Sequence, residues 1–303
     1  MQRLRKIAEV PLQALRLLFR NDPLRMAGAT AFFSTFALPG ILIVIVQVFS
    51  HIVGPQTIRR GLGSTLRGTF GPEAQQQIVQ AIRSIGSLAD SWYIAIGGFI
   101  FLLFVVTTLF KIIRGSIDQL WRMRAVKRKQ RFLYSLINRT RSVLIILFAG
   151  VLVVVTIGIE LLQALINSRI IRLSKTAAMW VDIGLDYVFT IAIVGCWLVA
   201  VFRYLTNGRP TWRVAWVGAG ITALLFTIGK AILGILLTYS NVTTIYGASA
   251  STIVLLLFIF YVSLILYFGA AFTTTYAKEI GRPILPAPHA ARYRITAVDE
   301  KAV

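Results

Sequence analysis

The 303-residue chain is 57% hydrophobic and only 14% charged, and 32 Lys and Arg against 11 Asp and Glu leave a formal net charge of +21. A mean hydropathy of +0.76 excludes a soluble globular domain of this size and places the chain in a bilayer. The lone cysteine, Cys196, excludes an intramolecular disulfide and a cysteine metal cluster.

Residues 3–20, RLRKIAEVPLQALRLLFR, alternate basic and apolar side chains. This predicts an amphipathic helix lying flat at the membrane surface, with Pro11 interrupting it or starting its second part. A lipid-binding arm and a basic flank that sets topology both remain open. The segment 1–28 precedes a membrane domain over 29–276 with six expected spans, at 29–53, 92–113, 143–166, 177–202, 216–239 and 252–276. Each is long enough to cross about 30 Å of hydrocarbon. The first begins too late and runs too long for a cleaved signal peptide.

The outer segment 54–91 ends in GPEAQQQIVQAIRSIGSLADSW, where Ile78, Ile82 and Ile85 follow Pro72 and Glu73 at i, i+4, i+7. A second amphipathic surface helix is expected there. The inner loop 114–141 carries nine Lys and Arg against a single acid, Asp118, with Trp121 placed as an interfacial anchor. IYGASAS, residues 245–251, predicts a tight re-entry into the sixth span with Tyr246 at the interface, for structure or for ligand contact. The tail 277–303, with Pro283, Pro286 and Pro288 and no apolar periodicity, is expected to be mobile. The fold class is therefore all-α, a polytopic membrane helix bundle with six transmembrane helices plus amphipathic surface helices.

With the N terminus inside, cytoplasmic segments hold 23 Lys and Arg against 7 outside. The positive-inside rule then puts both termini in the cytoplasm. Because the basic runs flank spans, they point to anionic headgroups, at about 1 kcal/mol per residue, and not to nucleic acid. Lys127, Arg128 and Lys129 are the expected headgroup contacts.

Besides Lys111 near the inner end of the second span, four charges fall inside the spans. At 1.5 Å per residue, Lys230 lies about 13 Å below the outer boundary, Glu160 about 9 Å, and Asp182 and Asp186 about 7 and 13 Å. A charge at helix centre costs about 2.5–3.5 kcal/mol even on lenient scales, so these groups should face one another or water. Asp186 is the preferred partner of Lys230, with Glu160 second. Ala215, Ala219, Ala223, Thr227 and Ala231 recur every four residues and, with Gly234 nearby, form a small-residue ridge suited to close helix packing. Lys230 flanks this ridge. It either binds an anionic ligand in a polar cavity or pins two helices in register.

AGATAFFSTFALPG at 27–40, WRVAWVGAGITALLFTIGKAILGILL at 212–237 and IYGASASTIVLLLFIFYVSLILYFGAAFTTTYA at 245–277 resemble the YihY/BrkB family of bacterial inner-membrane proteins. Pro39, Arg213, Gly218, Gly229, Lys230, Tyr246, Gly247, Gly269 and Tyr276 match its pattern. Where many members have an acid after FGA, this chain has Ala271. The resemblance implies a bacterial inner-membrane location and an envelope-related role in moving or handling lipid-like molecules. It also carries an older ribonuclease label, which the residues do not support. Metal-dependent phosphodiester cleavage needs clustered carboxylates and histidines, whereas His51 and His289 are expected on opposite sides of the membrane.

No catalytic residue, metal ligand or cofactor is therefore expected. The leading expectation is a transporter, exporter or scramblase of an anionic lipid or lipid-linked envelope precursor. Lys230, helped by Arg59 or Arg60, would bind the anion, while Asp186, Glu160 and Asp182 balance the charge or relay protons. The alternative is a non-transporting scaffold that docks an envelope protein. The expected partners are anionic membrane lipids and either a second copy of the chain or such a protein.

Overall fold

The computed structural model describes residues 2–53, 92–126, 144–156, 175–239, 250–288 and 290–293, with a few isolated positions besides. Among the described residues there are seven helices: α1 Gln2–Phe19, α2 Pro23–Val53, α3 Trp92–Trp121, α4 Leu144–Thr156, α5 Lys175–Ala200, α6 Trp212–Tyr239 and α7 Ala250–Glu279. Four contain stretches long and apolar enough to cross a bilayer: Ile100–Trp121, Tyr187–Leu205, Trp212–Ile232 and Thr252–Glu279. The all-α membrane bundle stands, whereas the count of six spans is not established. The 31-residue α2 coincides with the first expected span. The third is described as a helix over Leu144–Thr156, and its remainder lies mostly outside the described residues.

Helix α7 is the hub of the bundle, packing on α1, α2, α3 and α6, while α2 packs on α3 and α5 on α6. It can serve four neighbours because Ala270, Ala271, Thr273 and Ala277 are small, fully buried side chains, and small residues let helix backbones approach in the absence of a hydrophobic drive. The α6–α7 contact is reciprocal. A Cβ at Gly218 would fall inside the Thr273 side chain, and one at Gly269 inside that of Thr222. Each threonine hydroxyl bonds back to its own helix, Thr222 Oγ1 to the Gly218 carbonyl at 2.6 Å and Thr273 Oγ1 to that of Gly269 at 2.7 Å. Two polar groups are thereby satisfied inside an apolar seam. Outward-facing Phe32, Phe104, Leu224, Ile228 and Leu257 are exposed, as a lipid-facing surface requires.

Helix α1 forms where an amphipathic helix was expected, but without an interruption or a new start at its proline. It runs unbroken through Pro11 and buries Val10, Ala14 and Leu18, spaced i, i+4, i+8, in packing on α7. Leu12, Leu15 and Phe19 remain exposed beside that stripe.

One end of the bundle is closed by short backbone pairings. Beyond α3, strand β1 (Met123–Ala125) runs antiparallel to β4 (Ala290–Arg292), with Met123 opposite Arg292. Beyond α5, a five-residue π turn, Val201–Leu205, leads to β2 (Gly208–Arg209). This strand pairs with β3 (Leu285–Pro286), Gly208 opposite Pro286. Two expectations are corrected here. Residues 282–288 and 290–293 of the tail expected to be mobile are placed by these strands and by Ile284 and Ala287, both buried. Residues 114–121 of the expected inner loop are the last two turns of α3, and Trp121 is 1% exposed, a packed core residue and not an interfacial anchor.

Candidate functional site

At the Trp121 end, α3 grips the turn that joins α5 to α6. Asn207 donates its backbone N–H to Asp118 Oδ1 at 2.8 Å and its Nδ2 to Asp118 Oδ2 at 2.6 Å. Both residues are buried. One turn earlier on α3, Arg114 Nε donates to the Leu205 carbonyl at 2.7 Å, a carbonyl at the end of the π turn. Trp121 donates its indole N–H to the Ala270 carbonyl of α7 at 2.8 Å, and a Cβ at Gly208 would stand 2.5 Å from the indole ring. The tail completes the clamp, its Ala287 N–H donating to the Asn207 carbonyl at 2.8 Å. Buried polar groups are tolerated here because each finds a partner.

This rigid collar frames a cavity of about 710 Å³ whose lining comes from α4, α5, the π turn, β2, α6 and the tail. Leu144, Ile145 and Phe148 form an apolar wall, Tyr204, Trp212 and Trp216 an aromatic one, and Arg203 and Arg209 bring two positive charges. No Asp or Glu is among the described residues lining it. Arg203 is pinned, its guanidinium 4.3 Å from the centroid of the Trp212 ring and its Nη1 donating to the Pro210 carbonyl at 2.5 Å. Stacking on an aromatic face fixes the plane of a guanidinium while leaving other N–H groups to bind an anion. Tyr204, Trp212 and Trp216 are each about half exposed, as expected of aromatics at a membrane interface. Arranged in this way, the residues can hold a molecule with an anionic head and an apolar body.

Of the charged residues singled out from sequence as a site, Lys230 is the one with a described side chain. Lys230 is half-buried on α6. Asp182 and Asp186 lie on α5, with side chains outside the described residues. Glu160, Arg59, Arg60, Lys127, Arg128, Lys129 and Tyr246 lie outside the described residues altogether, as does most of the expected helix near residue 78, of which Gln75, Val79 and Gln80 are described and helical. Of the small-residue ridge, Ala215, Ala219, Ala223 and Thr227 are buried, as packing requires. Ala231, by contrast, is exposed, and nothing is described of Gly234 beyond its helical backbone. A Cβ at Gly195 on α5 would stand 3.9 Å from the Ala223 Cβ, so the ridge faces α5.

The cavity's arginines entered the sequence reading only within the count of 23 cytoplasmic Lys and Arg. Their signal was RYLTNGRPTWR at 203–213, where an Asn-Gly turn and a proline interrupt an alternation of cationic and aromatic residues.

The profile described as "Virulence factor BrkB" matches residues 15–294. The chain belongs to the BrkB family. Curated relatives are named UPF0761 membrane proteins. One from Delftia acidovorans is 25% identical over 86% of this chain and 60% of its own length, one from Teredinibacter turnerae 24% identical over 92% and 64%, and one from Haemophilus influenzae 23% identical over 86% and 91%. The chain thus spans about 60% of the length of the first two. No solved structure matches. Family membership and the apolar helices together make the chain an integral membrane protein.

Proposed function

We propose that this BrkB-family protein moves an anionic amphiphile, a lipid or a lipid-linked envelope precursor, across or out of the bacterial inner membrane as a transporter, exporter or scramblase. It would do so without enzymatic turnover. The cavity carries this reading, with two arginines and no described acid beside an aromatic and aliphatic wall. A phosphate or carboxylate would take the Arg203 and Arg209 donors, and the apolar body would lie against Leu144, Ile145 and Phe148. The 23-to-7 bias of basic residues supports a cytoplasmic position for this end and for both termini. In the same reading, Lys230 is a second station nearer the opposite face, served by Asp186, Glu160 and Asp182.

The test is transbilayer movement of labelled phosphatidylglycerol and phosphatidylcholine in proteoliposomes. Charge-assisted hydrogen bonds contribute about 1.5–3 kcal/mol each, so Arg203→Gln with Arg209→Gln should slow phosphatidylglycerol movement at least about tenfold. Lys230→Ala should also slow it. Unchanged movement in the folded double variant would remove the cavity from the path.

A further inference from the structure

A second cluster of cations lies on the other pairing at this end, and none of its members lines the cavity. Helix α3 ends at Trp121, and the next residue, Arg122, has φ 56°. Its N–H donates to the Gln119 carbonyl at 3.1 Å. That is the left-handed position just past a helix end where glycine is the usual occupant, because a side chain there is strained. Yet the chain places an exposed arginine there. Across the β1–β4 pair, Tyr293 donates its N–H to the Arg122 carbonyl at 3.1 Å and Arg292 stands opposite Met123. Arg122 and Arg292 are therefore neighbours. Lys278, in the last turn of α7, is close enough to both for their charges to act on its ammonium. All three side chains are exposed, and among the described residues none is in an ion pair.

Three like charges converge, then, and one of them occupies a backbone position that any glycine would fill more easily. Repulsion and strain both oppose the arrangement, and a bound anion would offset both. Arg122 directly follows one stretch apolar enough to span a bilayer, and Lys278 sits in the last turn of another, at the level where headgroups lie. Exposed Val126 follows β1 on the same side of the sequence.

We propose that Arg122, Lys278 and Arg292 form a binding site for a phosphate-bearing anion, and that its occupant is the headgroup of an anionic phospholipid in the adjoining leaflet. The site is independent of the cavity and of whether the protein transports anything.

The test uses the full chain in detergent, with bound molecules counted by native mass spectrometry as phosphatidylglycerol, phosphatidylcholine or inorganic phosphate is added. Wild type and Arg203→Gln are measured in parallel, so that occupancy of the cavity does not hide the second site. Arg122→Gly is the informative variant, because glycine relieves the backbone while the charge is lost. Its melting temperature should equal or exceed that of wild type while phosphatidylglycerol affinity falls about fivefold, the share of one basic residue near a membrane surface. Lys278→Gln should fall similarly, and phosphatidylcholine should not bind there. Wild-type affinity in both variants would overturn the site. Full competition by inorganic phosphate would overturn the lipid in favour of a soluble phosphate compound. A rise in lipid binding on deleting residues 294–303, which include Asp299 and Glu300, would make the chain's own tail the occupant and overturn the lipid equally.

Discussion

At the scale of single residues, the collar rests on Asp118 and Gly208. Asp118 receives two hydrogen bonds from Asn207 in a buried position. Removing the acceptor would take both of these bonds from the buried turn, at about 1–3 kcal/mol. Asp118→Ala should therefore lower the thermal midpoint in detergent clearly. Asp118→Asn, which keeps one carbonyl oxygen for the Asn207 N–H, should lower it less. Equal losses would mean that only the side-chain bond matters. Gly208→Ala would push a methyl group to 2.5 Å from the Trp121 ring, an overpacking cost of about 1–3 kcal/mol. None of this was legible in sequence. Asp118 stood out as the one acid of a basic loop, but its partner lies 89 residues away, and no local pattern connects them. Trp121 misled for a related reason, since a tryptophan at the end of an apolar run fits both an interfacial anchor and a core residue.

At the scale of helices, apolar runs of about 20 residues are strong signals, and α3, α5, α6 and α7 lie where those runs predicted. The ridge on α6 was legible too, through its period of four. What periodicity could not supply was a second ridge one residue round the helix, Gly218 and Thr222, because its meaning depends on the register of α7. There Gly269 faces Thr222 and Thr273 faces Gly218, a knob and a hole on each helix. Gly218→Ala should destabilise the protein by about 1–3 kcal/mol through overpacking. Thr273→Ala, which deletes the colliding Oγ1 and Cγ2 atoms, should partly rescue it in the double variant. Additive losses in thermal unfolding of the single and double variants would refute direct contact across the seam, since contacting residues couple by about 0.5–3 kcal/mol.

At the scale of the whole molecule, a single end gathers the aromatic-lined cavity, the cationic cluster and the returning tail, although Arg122 and Arg292 stand 170 residues apart in the chain. The sequence reading marked the segments that meet at this end as basic. It did not foretell that the tail would be built into that end, because two- and three-residue strands have no periodicity and form only against partners already held by α3 and α6. Ala287 both lines the cavity and bonds Asn207, so the tail is one wall of the proposed binding site. Cys196, the lone thiol of the chain, lines the same cavity and is half-buried, which makes it a built-in reporter. Ending the chain after Gly281 removes β3, β4 and Ala287. Maleimide labelling of Cys196 should then accelerate in the truncated protein, while phosphatidylglycerol should slow it in the intact one. Should truncation leave the labelling rate unchanged in a protein that still unfolds cooperatively, the tail would be packing on the collar without closing the cavity, and access to Arg203 and Arg209 would be set by α4 and α6 alone.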